Sequence, residues 1–189
     1  MQITRTLPFT EVEKAMRESC YGVLGTIDGN GNPHSTSVLY GVSLPDDPFS
    51  LYVVTSRSYK KIRNIEARPE VSFVIPFPHH IMRFVPPNCV QFQGIAELYD
   101  LNFVHAYATF LEKKTLKMTL ADAMQHPNDN VFIRIIPNQR INGYGLGMSM
   151  MEMRNNIRAG AFKSNIPKER LAITEMDEYI PLNTDLLYP

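Results

Sequence analysis

The densest cluster of charge in the sequence is the segment TSRSYKKIRN, residues 55–64. Around a predicted helix start it collects three hydroxyl and four basic side chains, namely Thr55, Ser56, Ser58, Arg57, Lys60, Lys61 and Arg63. A helix N-terminus offers unpaired backbone N–H groups and a partial positive charge, to which arginine adds paired donors and lysine a point charge. The segment can therefore bind a phosphate dianion. On pattern alone, a solvated basic helix face explains it better.

No other group of residues in the sequence predicts a reactive site. His79 and His80 are adjacent, so their side chains would diverge in a strand, and no histidine spacing is typical of metal ligands. Cys20 lies in an apolar stretch without an activating base, and Cys89 is far from it in sequence. Neither G-x-S-x-G nor a strand–glycine loop–helix frame occurs. The sequence therefore predicts no metal site, no catalytic triad and no dinucleotide fold.

The elements that must position the basic segment are mostly strands. The pattern Thr10–Glu13 predicts a capping box that opens a helix to about Ser19, and the stretch DGNGNP, residues 28–33, predicts a hairpin turn. Strands are predicted at 20–28, 34–42, 50–55, 71–77, 88–98 and 131–136, further helices at 58–67, 101–114 and 119–125, and a loop at 78–87. The turns are too short for parallel crossovers, so we expect a mainly β fold built as a small antiparallel barrel.

The C-terminal part of the sequence is less regular. The methionines at 148–153 are typical of core or interface packing. From about Arg154 the chain is polar and weakly periodic, which predicts an irregular tail. We therefore divide the chain into a barrel domain, residues 1–150, and a tail, residues 151–189, that packs on the barrel or on a partner subunit.

Composition bounds the class of protein. Hydrophobic residues make up 44% of the 189 positions and charged residues 20%, which is typical of one globular domain. The 19 basic and 19 acidic residues cancel, so net charge does not favour binding to nucleic acid or to a membrane surface. No apolar run approaches the roughly 18 residues of a membrane span, and the N-terminal segment lacks a signal-peptide pattern. Two cysteines and no leader predict a cytoplasmic protein without disulfides.

Four segments, in their order and spacing, resemble the pyridoxamine 5′-phosphate oxidase-like family of FMN-binding split barrels. They are CYGVLGTIDGNGNPHSTSVLYGV, LYVVTSRSYKKIRNIEARPEVSFVI, VQFQGIAELYD and FIRIIPNQRINGYG. The resemblance covers about residues 9–145. It implies a split β-barrel of about six antiparallel strands with peripheral short helices.

The resemblance also implies site residues. The FMN phosphate would be held after the third strand, at Thr55, Ser56, Arg57, Ser58 and Lys61. Lys60 is a second candidate because the helix register is uncertain, and Arg63 is an alternative that faces solvent. The isoalloxazine would lie along the strand after the hairpin turn, largely on backbone groups, at Ser35, Thr36, Ser37 and Val38. Gln91 and Gln93 share one strand face, where relatives carry a polar residue that reaches the cofactor, often across a dimer interface. Without the resemblance, these serines and glutamines are as typical of exposed strand faces.

The function implied is that of a homodimeric FMN-dependent oxidoreductase, which transfers hydride or electrons between a nicotinamide donor and an unidentified small molecule. The alternatives are a non-catalytic flavin- or haem-binding storage protein and a deazaflavin-dependent reductase. The namesake enzyme carries a C-terminal segment with tryptophan and arginine. This chain has no tryptophan and ends in TDLLYP, so pyridoxal phosphate synthesis is not expected.

Overall fold

The computed structural model of the chain describes residues 5–77 and 87–172. Within these ranges it contains ten strands and five α-helices. The strands are β1 (Arg5–Thr6), β2 (Tyr21–Ile27), β3 (Pro33–Leu39), β4 (Gly41–Val42), β5 (Leu51–Ser56), β6 (Glu70–Phe77), β7 (Asn88–Tyr99), β8 (Asn130–Pro137), β9 (Arg140–Tyr144) and β10 (Ala161–Asn165). The helices are α1 (Phe9–Glu18), α2 (Lys60–Ala67), α3 (Val104–Leu111), α4 (Lys114–Ala123) and α5 (Met150–Asn155).

All ten strands belong to one curled sheet in which β7 joins two branches. One branch runs in the order β3-β2-β6-β7-β9-β10-β1, and the other adds β8, β5 and β4 beside the second half of β7. β9 pairs with Cys89–Gln91 and β8 with Gly94–Tyr99, so the two neighbours share one edge of the same long strand. Every pair is antiparallel except β1–β10. The mainly β split barrel with peripheral helices is thus confirmed, with more strands than the six expected.

Two apolar cores fix the two sides of this sheet. The first fills the interior of the barrel, where period-two alternation places residues such as Leu24, Phe73 and Phe92 together. The second lies outside β5 and β8, where α3 and α4 cover Tyr52 and Phe132. The first part of β5 is covered on both faces by these cores, and its half-buried end leads into the turn before α2.

At the start of the first helix, tertiary contacts of Glu13 replace the expected local capping box. Helix α1 begins at Phe9 with Pro8 as its N-cap, and no side chain caps it. The predicted capping box between Thr10 and Glu13 is therefore wrong. Glu13 is instead buried between two arginines, Arg17 at 2.7 Å and Arg170 at 3.1 Å.

Other boundaries differ from expectation towards the C-terminus. The helix predicted at 101–114 ends at Leu111, and α4 begins at Lys114 and contains most of the helix predicted at 119–125. The irregular tail predicted from Arg154 is wrong for 161–165, which form β10 against β9. Of the predicted loop, residues 78–86 lie outside the described part of the chain. Among the described residues, no helix is long and apolar enough to cross a bilayer.

Candidate functional site: a seam between two strands

The candidate site begins where the barrel ladder opens between β3 and β5. β4 follows β3 after a single residue, Tyr40, and pairs with β5 through Gly41↔Tyr52 and Val42↔Leu51. β3 itself ends the strand order and pairs only with β2, although its Cα atoms still approach those of β5 to within 8 Å. We call this opening the seam, bounded by residues 35–38 on β3, 55–56 on β5 and the start of α2. The free edge of β3 presents unpaired backbone N–H and C=O groups.

Helix α2 is fastened to the β2–β3 hairpin and closes the far end of the seam. Lys60 Nζ lies 3.2 Å from Asp28 Oδ2 in the hairpin turn, and Asn64 Nδ2 donates to Thr26 Oγ1 at 2.9 Å. The backbone N–H groups of Asn32 and Asn30 donate to Asp28 Oδ1. These bonds and Lys60 lower the pKa of the Asp28 carboxyl, with Asn32 the largest cause. The turn therefore holds a permanent anion that fixes Lys60.

The hydroxyl residues form a turn that leads into α2. Ser56 Oγ lies 2.9 Å from Ser58 Oγ and accepts the backbone N–H of Ser58 at 3.3 Å. Thr55 and Ser56 end β5 opposite Val131 and Asn130. Tyr59 is the N-cap of α2, and no side chain accepts a bond from the first turn. The first backbone N–H groups of the helix are thus left for solvent or a ligand.

The two lysines at the start of α2 have opposite surroundings. Lys60 is exposed and paired with Asp28, whereas Lys61 is only 6% exposed. The ammonium of Lys61 lies 4.6 Å from the centroid of the Tyr59 ring. Among the described residues, no carboxylate lies within 4.0 Å of it, and burial lowers the pKa of Lys61 below its usual range. A buried cation without an anion is unusual, and it suits an anionic ligand.

Arg57 is turned away from the seam. Its guanidinium pairs with Asp100, which follows β7, and its backbone N–H donates to Asp129 O at 2.9 Å. β8 lies between β5 and β7 in the sheet, on the side of β5 opposite β4. The Arg57 side chain is 41% exposed, so this ion pair can exchange with another partner at little cost. Arg63 is exposed on α2.

The four predicted residues of β3 divide between two faces. Ser35 and Ser37 are exposed on the outer face of the sheet, where the Tyr21 hydroxyl lies 3.0 Å from Ser37 Oγ. Thr36 is half-buried and Val38 is buried on the inner side. Alternate residues among these four direct their backbone N–H and C=O groups to the free edge of β3, since the others bond to β2, and this edge is the part expected to contact a ring.

The structure does not bring Gln91 and Gln93 to the seam. They lie exposed on the outer face of β7, opposite Val74 and Ser72 of β6. β6 and β2 separate β7 from β3. Three strand spacings amount to roughly 14 Å. Within one protomer, Gln91 and Gln93 thus lie three strands from β3, although Gln93 and the exposed Ser35 line the same cavity on the outer face.

Gln91 and Gln93 instead line a groove on the outer face that sequence analysis missed. Two adjoining cavities of about 410 and 530 Å³ share Ser72, Gln93 and Asn138. β9 adds Arg140 and Asn142, and Asn142 Oδ1 is buried without a hydrogen-bond partner. The polar positions 138, 140 and 142 alternate as in a strand, and this period was the signal that could have found them.

Comparison with known proteins decides the family. A family described as pyridoxamine 5′-phosphate oxidase matches residues 9–140, well over half of the chain. The chain belongs to this family. A search of curated proteins finds no match.

Solved structures share the fold at low identity. A haem-binding protein from Mycobacterium smegmatis is 20% identical with a TM-score of 0.59, over 78% of this chain and 57% of its own length. HutZ, the haem storage protein from Vibrio cholerae, is 18% identical with a TM-score of 0.59, over 76% of this chain and 98% of its own. An FMN-binding protein from Nostoc punctiforme related to pyridoxamine 5′-phosphate oxidase is 14% identical with a TM-score of 0.50, over 72% and 80%. One fold therefore serves both flavin and haem among its members.

Proposed function

We propose that the chain is an FMN-binding oxidoreductase whose cofactor lies in the seam with its phosphate at Lys61. The observation that carries this proposal is the buried side chain of Lys61, whose ammonium has no carboxylate partner among the described residues, beside an uncapped helix start. A phosphate there gains a charge-assisted bond from lysine and bonds from backbone N–H groups. Family membership and the FMN-binding neighbour support the same cofactor.

The residues around the seam fit each part of this cofactor. Lys61, the hydroxyls of Ser56 and Ser58 and the start of α2 would hold the phosphate. Lys60 is already neutralised by Asp28, so it is the weaker of the two lysine candidates. Thr55, the last but one residue of β5, would lie between the phosphate and the ring. Arg57 would join the phosphate only by leaving Asp100.

The free edge of β3 would orient the ring of the cofactor. Backbone N–H and C=O groups of alternate residues at 35–38 lie on the edge of β3 that is not paired with β2. Bound FMN supplies hydride or electron transfer between a nicotinamide donor and a small molecule. The chain itself would contribute binding, orientation and exclusion of water on the inner side, where Val38 is buried. This role needs no protein acid or base, and among the described residues no cluster of metal ligands is found.

The direct test is the absorption spectrum of the purified protein, before and after addition of FMN. We expect flavin bands that co-purify or that shift when FMN is added, and oxidation of NADH or NADPH when an electron acceptor is present. A colourless protein that does not bind added FMN would contradict the proposal. Bound haem, bound deazaflavin, or bound flavin without turnover would each be identified by the spectrum, the cofactor mass and the turnover assay, and would favour the storage or deazaflavin alternatives.

We further propose that two copies form a dimer in which Gln91 and Gln93 reach the cofactor of the partner subunit. Their place in a polar groove on the outer face, with the unpartnered Asn142 carbonyl, supports an interface role. A twofold dimer would form two equivalent sites.

Mixed dimers separate this arrangement from action within one subunit. A Lys61→Met subunit paired with a Gln91→Ala/Gln93→Ala subunit contains one fully intact site only if the glutamines act on the partner. We expect co-expression to restore FMN binding at one site per mixed dimer. A monomer in sedimentation, or mixed dimers no better than either parent, would contradict the arrangement.

A further inference from the structure

The aromatic ring beside Lys61 has no role in the function proposed so far. Tyr59 is 55% exposed, although a tyrosine usually buries most of its ring. It caps α2 in an extended conformation, with φ −73° and ψ 147°, and this places its ring ahead of the first helical turn. The one described partner of the ring is the ammonium of Lys61, at 4.6 Å from the centroid.

This contact lies within the range of a cation–π interaction, which extends to about 6 Å and favours the charged form of lysine. The stem of Lys61 is buried, and this burial removes part of the hydration of its ammonium, which lowers the pKa of the group. The face of the ring attracts the ammonium electrostatically, and this compensates part of the lost hydration without an ion pair. A carboxylate at this position would do the same more strongly, but it would also repel a phosphate. Asp28 forms such an ion pair with Lys60, one residue earlier.

We propose that Tyr59 is a positioning residue that holds the Lys61 ammonium charged and aimed at the seam, so that the ring at position 59 raises selectivity for the phosphorylated flavin over riboflavin. This inference rests on the proposed FMN site and adds a residue to it. The aromatic face is required and the hydroxyl is not. Phenylalanine should therefore replace Tyr59, and leucine should not.

The first experiment measures binding of FMN and riboflavin to the full chain carrying Tyr59→Phe or Tyr59→Leu. We expect Tyr59→Phe to stay within about twofold of wild type, and Tyr59→Leu to weaken FMN binding by about threefold or more with riboflavin binding unchanged. In a Lys61→Met background, Tyr59→Leu should have no further effect on FMN. Because Tyr59 is exposed, these variants should unfold at wild-type urea concentrations.

Three results would overturn the inference. The first is a Tyr59→Leu protein with the wild-type ratio of FMN to riboflavin affinity. The second is a Tyr59→Phe protein as weak as Tyr59→Leu, because the hydroxyl would then be the active group. The third is an equal loss of FMN and riboflavin binding, since this would mean that Tyr59 stacks on the ring system of the flavin.

A second measurement without any flavin keeps this inference separate from the proposed function. The pKa of Lys61 can be followed by NMR of ¹³C-labelled lysine side chains in the ligand-free protein. We expect Tyr59→Leu to lower this pKa further and Tyr59→Phe to leave it unchanged. If the wild-type chain fails to bind FMN, the proposed function fails whatever the NMR result. If FMN binds and Tyr59→Leu leaves the pKa of Lys61 unchanged, only the proposed role of Tyr59 is contradicted.

Discussion

Two buried cations in this chain, Arg134 on β8 and Lys61 on α2, have opposite surroundings. Arg134 is fully buried, with Nη1 3.3 Å from Glu97 Oε2 and Nε donating to Ser50 Oγ at 3.2 Å. The Tyr99 hydroxyl also donates to Glu97 Oε2, at 2.8 Å. Lys61 is almost as buried, yet no carboxylate pairs with it among the described residues. The charge of Arg134 is paired by residues of its own chain, whereas we expect the charge of Lys61 to be paired by a bound ligand.

The contrast separates structural charge from binding charge. A buried charge raises the free energy of the folded state unless partners replace its hydration. The network around Arg134 supplies those partners between the sheet and the outer core, so that removing one partner should damage the fold. At Lys61 no such partner replaces the lost hydration, and this raises the free energy of the folded state. Removing the charge should therefore leave the fold stable and weaken ligand binding. The five predictions that follow test this difference, from the largest expected effect to the smallest.

Replacement of Arg134 should give the largest loss of stability. Arg134→Met would leave the Glu97 carboxylate and Ser50 without their partner. We expect the free energy of unfolding to fall by about 3 kcal/mol, at the lower end for a broken buried pair, because Glu97 keeps some exposure. Urea unfolding measures this change. Adding Glu97→Gln should recover part of the loss, and an unchanged midpoint in Arg134→Met would mean that the network contributes nothing.

Replacement of Lys61 should give the reverse result. Lys61→Met keeps most of the buried stem and removes the charge, so the free energy of unfolding should stay equal or rise. FMN binding should weaken by about 1.5–3 kcal/mol, the usual contribution of a hydrogen bond to a charged group, and riboflavin binding should not change.

Lys60→Met is the matched control for this variant, because Lys60 is exposed and already paired with Asp28. It should change FMN affinity much less than Lys61→Met. If the two variants bind FMN equally well, or if Lys61→Met binds FMN as wild type does, the phosphate lies elsewhere. Lys61 would then not be a binding charge, and its contrast with Arg134 would be wrong.

The sequence predicted the parts of the seam that depend on near neighbours. The hairpin turn at 28–33 and the end of α2 before Arg68-Pro69 both follow from local backbone preferences, and both are observed. The alternation of Gln91 and Gln93 on one strand face is also a local property and is confirmed. The ring and phosphate roles of these segments stay predictions.

Contacts between residues that are far apart in the sequence could not be predicted from sequence patterns. Arg57 meets Asp100 at 43 positions further on, and Glu13 meets Arg170 at 157 positions further on. No pattern of neighbouring residues encodes such pairs, and the second one replaced the expected capping box. The short strands β9 and β10 were missed because each is stabilised by pairing with distant partners, β7 and β10 for β9, and β9 and β1 for β10. The burial of Lys61, on which the site depends, is likewise a tertiary property.

The pH dependence of FMN binding sharpens the comparison further. Burial lowers the pKa of Lys61 below 10.5, so in the free protein it loses its proton earlier than an ordinary lysine. A bound phosphate favours the charged form. The affinity for FMN relative to riboflavin should therefore be constant from about pH 7, where the phosphate is a dianion, up to the lowered pKa of Lys61, and should fall as the pH rises through that pKa. Lys61→Met should show no such fall.

The same group predicts a change in stability with pH. Since the folded pKa lies below the unfolded one, the unfolded state binds more protons between the two values, and the contribution of Lys61 to stability rises with pH in that window. The difference in unfolding free energy between wild type and Lys61→Met should therefore shrink as the pH increases towards 10.5. A constant difference would mean that Lys61 titrates as a solvated lysine.

The exposed pair of Arg57 and Asp100 should give the smallest effect. Asp100→Asn would release Arg57, which could then turn towards the phosphate, whereas Arg57→Ala removes that option. We expect Asp100→Asn to strengthen FMN binding and Arg57→Ala to weaken it, each by less than about 1 kcal/mol, as for other exposed ion pairs. Both effects should decrease at high salt, because exposed charges are screened. Titration of FMN at low and high salt measures both effects.

A loss of FMN affinity in Arg57→Ala as large as that in Lys61→Met would show that Arg57 leaves Asp100 on binding. The exposed arginine would then belong with Lys61 as binding charge, and burial would no longer mark the residue that the phosphate requires.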